Sequence, residues 1–268
     1  MSNTELAETV GLLVPVFYVV MLAVEARWPA RSFPPRRGWR WLGIAFLLLI
    51  AAVGTVVPLL VSPQWLTAQR WLDGSSLGVA GGALAGWLVL SLVSFGYHRL
   101  THAWSALWRL SHQLHHSPQR VDISGSVLFH PLEMVVQVLW ALFVTAIVLG
   151  LDPLAAALVG VVQAFHGMFQ HWNVNTPAWL GYVIQRPEAH CLHHRRGIHA
   201  DNYSDFPLWD MLAGSWHNPA RFTGEVGFDA PADRRLGAML AWADVNADTL
   251  GSGSRGARIS AGGGHAAA

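Results

Sequence analysis

Histidines occur in this chain at spacings that suit metal binding. HRLTH holds His98 and His102, and a four-residue step on an α-helix rotates the second imidazole by only about 40° from the first. The motif HxxHH occurs twice, as HQLHH at residues 112–116 and as HCLHH at residues 190–194. Neutral imidazole binds iron, zinc or copper, so these stretches predict a metal site. Their candidate ligands are His98, His102, His112, His115, His116, His190, His193 and His194.

A fourth stretch, HGMFQH, adds His166 and His171. Five residues separate them, which turns the two side chains about 140° apart on a regular helix. Both can point into one site only if a π-bulge or an unwound end lies between them; otherwise one of the two caps the helix or reaches towards its end. With both included, ten imidazoles supply about five ligands to each of two metals, whereas a structural zinc site closes with four.

The composition that surrounds these motifs is that of a membrane protein. Of 268 residues, 53% are hydrophobic, only 12% are charged and 14 are Trp. Uncharged runs long enough to cross a bilayer predict an all-α integral membrane protein with about four to five transmembrane helices. The runs lie at about residues 10–24, 41–61, 77–97, 134–151 and 154–170. Between the last two, GLDP predicts a tight turn of a helical hairpin.

Four segments follow from this pattern. Residues 1–76 hold N-terminal transmembrane helices and an Arg-rich loop, and residues 77–222 hold every histidine cluster. Residues 223–250 are predicted to form a C-terminal cytosolic segment. Residues 251–268 are a Gly/Ser/Ala tail that lacks apolar content, and they are predicted to be disordered.

Arginine distribution predicts the orientation. The loop RWPARSFPPRRGWR carries five arginines, whereas the next loop carries Arg70 alone. The positive-inside rule places the first loop in the cytoplasm and the N-terminus outside. Following the alternation of the spans, every histidine cluster and the C-terminus then lie on the cytoplasmic side, and we expect the membrane to be a bacterial inner membrane.

Several polar residues outside the clusters have two interpretations. His130 begins HPLE, where it caps a helix or contributes to the site. Asn202 and Asp210 form turns or hydrogen-bond the outer nitrogens of ligand histidines, and His199 is such a partner or a surface group. Cys191 is interpreted as a buried bystander in preference to a metal thiolate.

Other classes of protein fit less well. A net charge of +1 with scattered arginines and no lysine gives no nucleic-acid interface. A metal transporter should place histidines and acids near the bilayer midplane, where the spans are almost free of acids. A b-type haem protein needs one histidine from each of two facing helices, which adjacent triplets provide poorly. Both remain as alternatives, and the sequence leaves the oligomeric state open.

The ordered clusters resemble the fatty acid hydroxylase and sterol desaturase superfamily of membrane di-iron oxygenases. The resemblance covers roughly residues 77–220 and includes YHRLTH, LWRLSHQLHHS, FHPLE and HHRRGIHADNYSDFPLWDMLAGSWHNP. It implies a cytosolic histidine-rich helical cap that holds two Fe ions, with zinc possible in isolated protein and O2 as co-substrate. The implied reaction is hydroxylation or desaturation of a C–H bond in a fatty acyl, sterol or other isoprenoid lipid.

Two further expectations accompany the resemblance. The chain has no HPGG haem motif, and its GxGxxG match, GSGSRG at residues 251–256, falls in the Gly/Ser/Ala tail and not between a strand and a helix. A separate electron donor of ferredoxin or cytochrome type, with its reductase, is therefore implied. Arginines after the last cluster either steer such an acidic donor or form a solvated positive-inside face. SLVSFGYH has no acid before the first histidine pair, so an acid that orients His98 must come from elsewhere.

Overall fold

Five long apolar helices dominate the computed structural model, which describes residues 2–246. The spans are Asn3–Arg27, Trp39–Leu59, Gly74–Ala103, Pro131–Val148 and Pro153–His171. These spans confirm the predicted all-α membrane architecture, and each overlaps a predicted run. The described residues form no strand, only an isolated bridge between Arg195 and Val226.

The helices follow one another through short connections. The α-helices are α1 (Asn3–Gly11), α2 (Leu13–Arg27), α3 (Trp39–Leu59), α4 (Pro63–Ala68), α5 (Gly78–Ala103), α6 (Ser105–Leu107), α7 (Gln113–His116), α8 (Pro131–Leu142), α9 (Pro153–His171), α10 (Pro187–His193), α11 (Leu208–Ala213) and α12 (Leu236–Leu240). The 3₁₀ turns are Gly74–Leu77, Ala178–Tyr182 and Ala232–Arg234, and π-helical turns cover Trp108–His112 and Phe143–Val148.

The predicted hairpin turn at GLDP is present and joins the fourth span to α9. Asp152 caps α9 by accepting a hydrogen bond from the Leu154 backbone N–H at 2.8 Å, and Pro153 occupies the first turn, where its missing N–H costs nothing. The Asn3 amide donates to the other Asp152 carboxylate oxygen at 2.8 Å. The start of the first span is therefore held against the start of α9.

Two glycines bring α5 and α9 close together. A Cβ atom at Gly86 would lie 2.7 Å from both Leu151 and Val159, and one at Gly82 would lie 3.1 Å from the Ala155 Cβ. Small residues spaced by four allow membrane helices to approach closely. This packing places the C-terminal turns of α5 and α9, which carry three candidate ligands, on the same side of the protein.

The first span is fastened to the histidine region by a buried acid. The Glu25 carboxylate accepts from the backbone N–H groups of Ile123, at 3.1 Å, and Asn173, at 3.3 Å. These bonds join the C-terminal end of α2 to the loop after α7 and to the end of α9. Contacts therefore cross the predicted boundary at residue 76, while the division into four segments remains a prediction.

The chain after residue 222 packs over the histidine helices. Gly227 N–H donates to the His194 carbonyl at 3.0 Å, and Phe228 N–H donates to the Ser117 carbonyl at 3.1 Å. Further along, the Gln113 side chain donates to the Ala243 carbonyl at 2.8 Å. The segment thus covers α7 and the end of α10. The predicted disordered tail, residues 251–268, lies outside the described residues.

Candidate metal centre

Nine of the ten predicted ligand histidines come together in two groups. Within each group, one nitrogen from every ring lies within 4.8 Å of the others. The first group contains His98, His102, His112, His116 and His193. The second contains His115, His171, His190 and His194. The His116 and His194 rings stack with centroids 4.0 Å apart, so the two groups adjoin.

The spacings between the Nε2 atoms fit metal coordination. In the first group the Nε2 atoms of His98 and His102 are 3.2 Å apart, and those of His112 and His116 are 3.1 Å apart. In the second group the His190 and His194 atoms are 3.0 Å apart. Nitrogens at right angles around an ion, with bonds of about 2.1 Å, are separated by about 3.0 Å. The rings are thus arranged as ligands that surround a common point.

Helical geometry explains how each HxxHH motif serves both groups. The first and fifth positions differ by about 40° on a helix, whereas the fourth lies about 100° from the fifth. In the first motif, His112 and His116 join the first group and His115 joins the second. In the second motif the assignment is reversed, because His190 and His194 join the second group and His193 joins the first.

His166 lies in neither group. The helix α9 is regular through HGMFQH, so the two side chains diverge as the spacing predicts for a helix without a bulge. His171 reaches the second group, with its Nε2 atom 3.1 Å from that of His115. The His166 ring instead packs edge-on against Trp87, with centroids 5.7 Å apart. The two π-helical turns lie elsewhere, at Trp108–His112, directly before α7, and at Phe143–Val148.

Burial keeps five of the clustered histidine rings outside the membrane spans neutral. Desolvation lowers the pKa of each of these histidines well below 6.5, and repulsion between neighbouring rings adds to the effect. They are His115, His116, His190, His193 and His194. A histidine binds metal only through an unprotonated nitrogen, so the buried rings are in the state that ligation requires.

In four of the clustered histidines, a hydrogen bond to an oxygen acceptor holds the proton on Nδ1, the ring nitrogen that is not aimed at the centre of the group. His112 Nδ1 donates to Glu133 at 2.8 Å, while His98 Nδ1 and His193 Nδ1 donate to the Tyr203 and Asp201 carbonyls, each at 2.6 Å. His171 Nδ1 donates to a carbonyl one turn earlier, at 2.7 Å. Because these oxygens can only accept, each Nδ1 carries the proton and Nε2 keeps its lone pair for a metal.

The predicted outer partners Asn202 and Asp210 act through the backbone. The Asp210 carboxylate accepts from the backbone N–H groups of Tyr203 and Ser204, at 3.0 and 2.7 Å. Asn202 donates to the Ala189 carbonyl at 3.1 Å and adopts a positive φ of 48°. Together they shape the loop whose carbonyls hold His98 and His193, and neither side chain bonds directly to a ligand ring, so of the two interpretations the turn-forming one describes them.

His199 and His130, the other two residues predicted as possible partners of ligand histidines, have different roles in the structure. His199 Nδ1 lies 3.2 Å from His116 Nδ1, so of its two interpretations the structure agrees with the partner of a ligand candidate and not with the surface group. His130 caps α8, where its Nδ1 accepts from the Leu132 backbone N–H at 3.1 Å and its Nε2 donates to the Leu240 carbonyl at 3.3 Å. The capping interpretation of HPLE therefore describes His130.

Glu133 is a candidate site residue that the sequence reasoning missed. It lies in HPLE, three residues after His130, and it is buried and bonded to His112. A signal was available, since an acid within an otherwise apolar span is costly and usually functional. The role of the backbone carbonyls of residues 201 and 203 could not be predicted from the sequence, because every residue type has a backbone carbonyl.

Cys191 lies outside both histidine groups. It is fully buried beside Val121 and Val226, and burial raises the pKa of its thiol to about 12. A neutral thiol is a poor metal ligand, so its placement agrees with the bystander interpretation.

A cavity of about 320 Å³ reaches the histidines from between the membrane helices. Its wall includes His98, His112, His115, His171 and His190, together with apolar side chains from each of the five spans. Gln163 and Asp205 add polar groups and bond to each other. Burial raises the pKa of Asp205 to about 6. The cavity thus connects an apolar interior with the candidate metal ligands.

The fold and the site together define a multi-pass integral membrane protein with a buried histidine centre. Comparison with known proteins then gives its family: residues 83–215 match the fatty acid hydroxylase family, and this chain belongs to that family. The chain is 32% identical to the ornithine lipid hydroxylase OlsE of Rhizobium tropici over 204 aligned residues. The aligned region covers 72% of this chain. The match spans 60% of that relative's length. No solved structure matches the chain.

Proposed function

We propose that this protein is a membrane-bound di-iron oxygenase that hydroxylates a C–H bond of a lipid. The observation that carries the proposal is the pair of buried histidine groups at the end of a cavity between membrane helices. The relative named above acts on ornithine lipid according to its name, which supports a lipid substrate.

The donor set supports two metal ions. In this proposal the five rings of the first group and the four of the second ligate one ion each. Imidazole binds iron, zinc and copper, and membership of the hydroxylase family favours iron. Bound iron would supply the reduction of O2, with one oxygen atom entering the lipid and the other leaving as water, for which two electrons and two protons are needed.

The chain's own residues would position the ligands and the lipid. Glu133 keeps the proton on His112 Nδ1, and the loop at residues 201–203 does the same for His98 and His193. The apolar cavity wall excludes water and holds a hydrocarbon segment against the ligands. A volume of about 320 Å³ is at the lower end for ligand cavities, so only part of a lipid would enter.

The electrons would come from a separate protein. The chain has no HPGG haem motif, its described residues form no strand on which a Rossmann-type nicotinamide site is built, and imidazole ligands cannot supply reducing equivalents. In the proposed topology the histidine groups face the cytoplasm, where a ferredoxin or cytochrome with its reductase can reach them.

The position and the crowding of the histidines argue against a metal transporter and against a b-type haem protein. The histidines gather at the ends of α5 and α9 and in the helices beyond them, whereas transport sites lie near the bilayer midplane. A b-type haem separates its two axial rings by the porphyrin, but here five and four ligand atoms crowd within 4.8 Å of one another.

Purified, iron-loaded protein tests the proposal directly. It should be incubated with bacterial lipid extract, isotopically labelled O2, and a ferredoxin with its reductase and NADPH. We expect a lipid that gains one labelled oxygen atom, which mass spectrometry detects, and loss of that product in His171→Ala. A matched control, His130→Ala, alters a helix cap and should retain the product. If iron-loaded protein with a reduced donor leaves every lipid unchanged, the oxygenase proposal is wrong.

A further inference from the structure

A second large concavity, the arginine groove, lies away from the histidine centre. It has a volume of about 550 Å³ and is formed by residues 30–34 and 221–226, together with Gln119, Asn175, Glu188 and Arg196. None of these residues lines the cavity that reaches the histidines. Phe33 and Phe222 pack against the buried cluster of Val121, Cys191 and Val226. In α10, Cys191 follows the ligand candidate His190 and lies about 100° around the helix from it. The groove is therefore separate from the proposed reaction site.

The groove lies at the end of the membrane spans. Residues 30–34 belong to the loop that connects α2 with α3, and Ala30 N–H donates to the Asn173 carbonyl just after the end of α9. Trp28, between α2 and this loop, is 63% exposed, as expected for a side chain in the interfacial belt. A ligand in the groove would lie at the level of lipid headgroups, on the same side as the histidines.

Its charges leave two guanidinium groups without an acid partner. Of the two acids in the wall, Glu188 binds Arg186 at 3.2 Å and Glu225 binds Arg196 at 2.8 Å. Arg31 Nε and Nη2 are buried without a hydrogen-bond partner among the described residues. The Arg221 side chain likewise has no hydrogen bond or ion pair within residues 2–246. Three arginines against two acids give the wall a net charge of +1.

An oxyanion would satisfy these groups. A guanidinium presents several N–H donors in a planar fork that matches the oxygens of phosphate, and such charge-assisted bonds are about twice as strong as neutral ones. Leaving a partly buried guanidinium unpaired costs free energy that a bound anion would recover. We propose that the arginine groove is a binding site for a phosphate group, held by Arg31 and Arg221.

Phosphate can reach the groove as the headgroup of an anionic phospholipid or as a free ion. The position beside the interfacial Trp28 favours the lipid. The proposal is independent of the oxygenase activity, because the groove shares no lining residue with the cavity at the histidines.

The test is a binding measurement on the full-length protein in detergent. Native mass spectrometry would titrate phosphatidylglycerol against diacylglycerol of the same acyl chains, which lacks the phosphate. Thermal unfolding would be followed with and without inorganic phosphate. We expect phosphatidylglycerol to bind at least about tenfold more tightly than diacylglycerol, and the Arg31→Gln/Arg221→Gln double variant to lose that preference.

Matched variants keep the result interpretable. Arg40→Gln removes an exposed arginine from the same side of the membrane but outside the groove, and it should bind phosphatidylglycerol like the parent protein. Arg221→Gln alone, at an exposed position, should weaken binding in case the double variant does not fold. Stabilisation of the parent by inorganic phosphate would identify the free ion as a second source. The proposal would be overturned if the parent protein showed no preference for phosphatidylglycerol and inorganic phosphate had no effect on its unfolding. It would also be overturned if both groove variants bound phosphatidylglycerol as tightly as the parent protein does.

Discussion

The clustered histidines differ in what holds their second ring nitrogen. Glu133 and three backbone carbonyls fix the Nδ1 protons of four rings, whereas the Nδ1 atoms of His115 and His190 are buried without a hydrogen-bond partner among the described residues. Stacking on Phe129, with centroids 4.3 Å apart, orients the His115 ring instead. Ligand orientation in this centre therefore depends on both hydrogen bonds and ring packing.

Replacing one ring from each group separates ligands from bystanders. His102→Ala and His171→Ala each remove one Nε2 metal ligand, the first from the first group and the second from the second group. Because each variant damages one of the two proposed iron sites, we expect each to lower bound iron by about half, measured by elemental analysis of the purified protein. His166→Ala removes an imidazole of the same helix as His171 that lies outside both groups, and its iron content should be unchanged. Full iron content in the first two variants would contradict the proposed ligand set.

Glu133 should control metal affinity without being a ligand itself. In Glu133→Gln the amide no longer stabilises the His112 tautomer as a carboxylate does, so we expect iron to bind about 10–100-fold more weakly in a chelator competition. Glu8→Gln, which alters an exposed acid in α1, serves as the control. Unchanged affinity in Glu133→Gln would show that the hydrogen bond to His112 has no effect on the metal.

At the scale of helices, the pairing of α5 with α9 determines where three ligand candidates lie. Gly86→Leu would force a side chain into Leu151 and Val159, and we expect it to push the helices apart, lowering both the unfolding temperature and the iron content. Gly96→Leu, in the same helix but with no atom near its Cβ, should leave both unchanged. A folded Gly86→Leu protein with full iron content would contradict this role for the glycine pair.

Much of the fold was predictable because its signals are local. Apolar run lengths gave all five spans, GLDP gave the turn before α9, and the HxxHH spacing gave ring directions one helical turn apart. The division of each triplet between two groups was not predictable, because it depends on where α7 and α10 face each other. The hydrogen bonds from His98 and His193 to the carbonyls of residues 203 and 201 were also not predictable, since any residue can supply a backbone carbonyl.

For the whole molecule, the orientation in the membrane can be tested with single cysteines. Cys191 is fully buried, so it should not react and need not be removed. The proposed topology predicts that Ala200→Cys reacts only when the reagent reaches the cytoplasm, whereas Gln64→Cys, in the short helix α4 that follows α3, reacts from outside intact cells. The opposite labelling pattern would reverse the proposed topology while leaving the fold unaffected.

Dependence on a donor protein is a second property of the whole molecule. Iron-loaded protein supplied with lipid, O2 and NADPH should form no more than one product per centre, because the described residues form no strand on which a Rossmann-type nicotinamide site could be built. Adding a ferredoxin and its reductase should produce repeated turnovers, counted by product per chain. Sustained turnover with the nicotinamide alone would show that the chain reduces its own centre.

The interleaving of the two HxxHH motifs gives the protein an order of assembly. Four of the five rings in the first group, His98, His102, His112 and His116, leave the ribosome early, but the fifth follows only with His193. The second group has a single member, His115, until α9 and α10 have been synthesised. Neither histidine group is complete before all five spans have been made. In the proposed two-metal centre, metal capture would then follow membrane insertion, and a truncated chain that ends before residue 190 would reach the membrane with both groups incomplete.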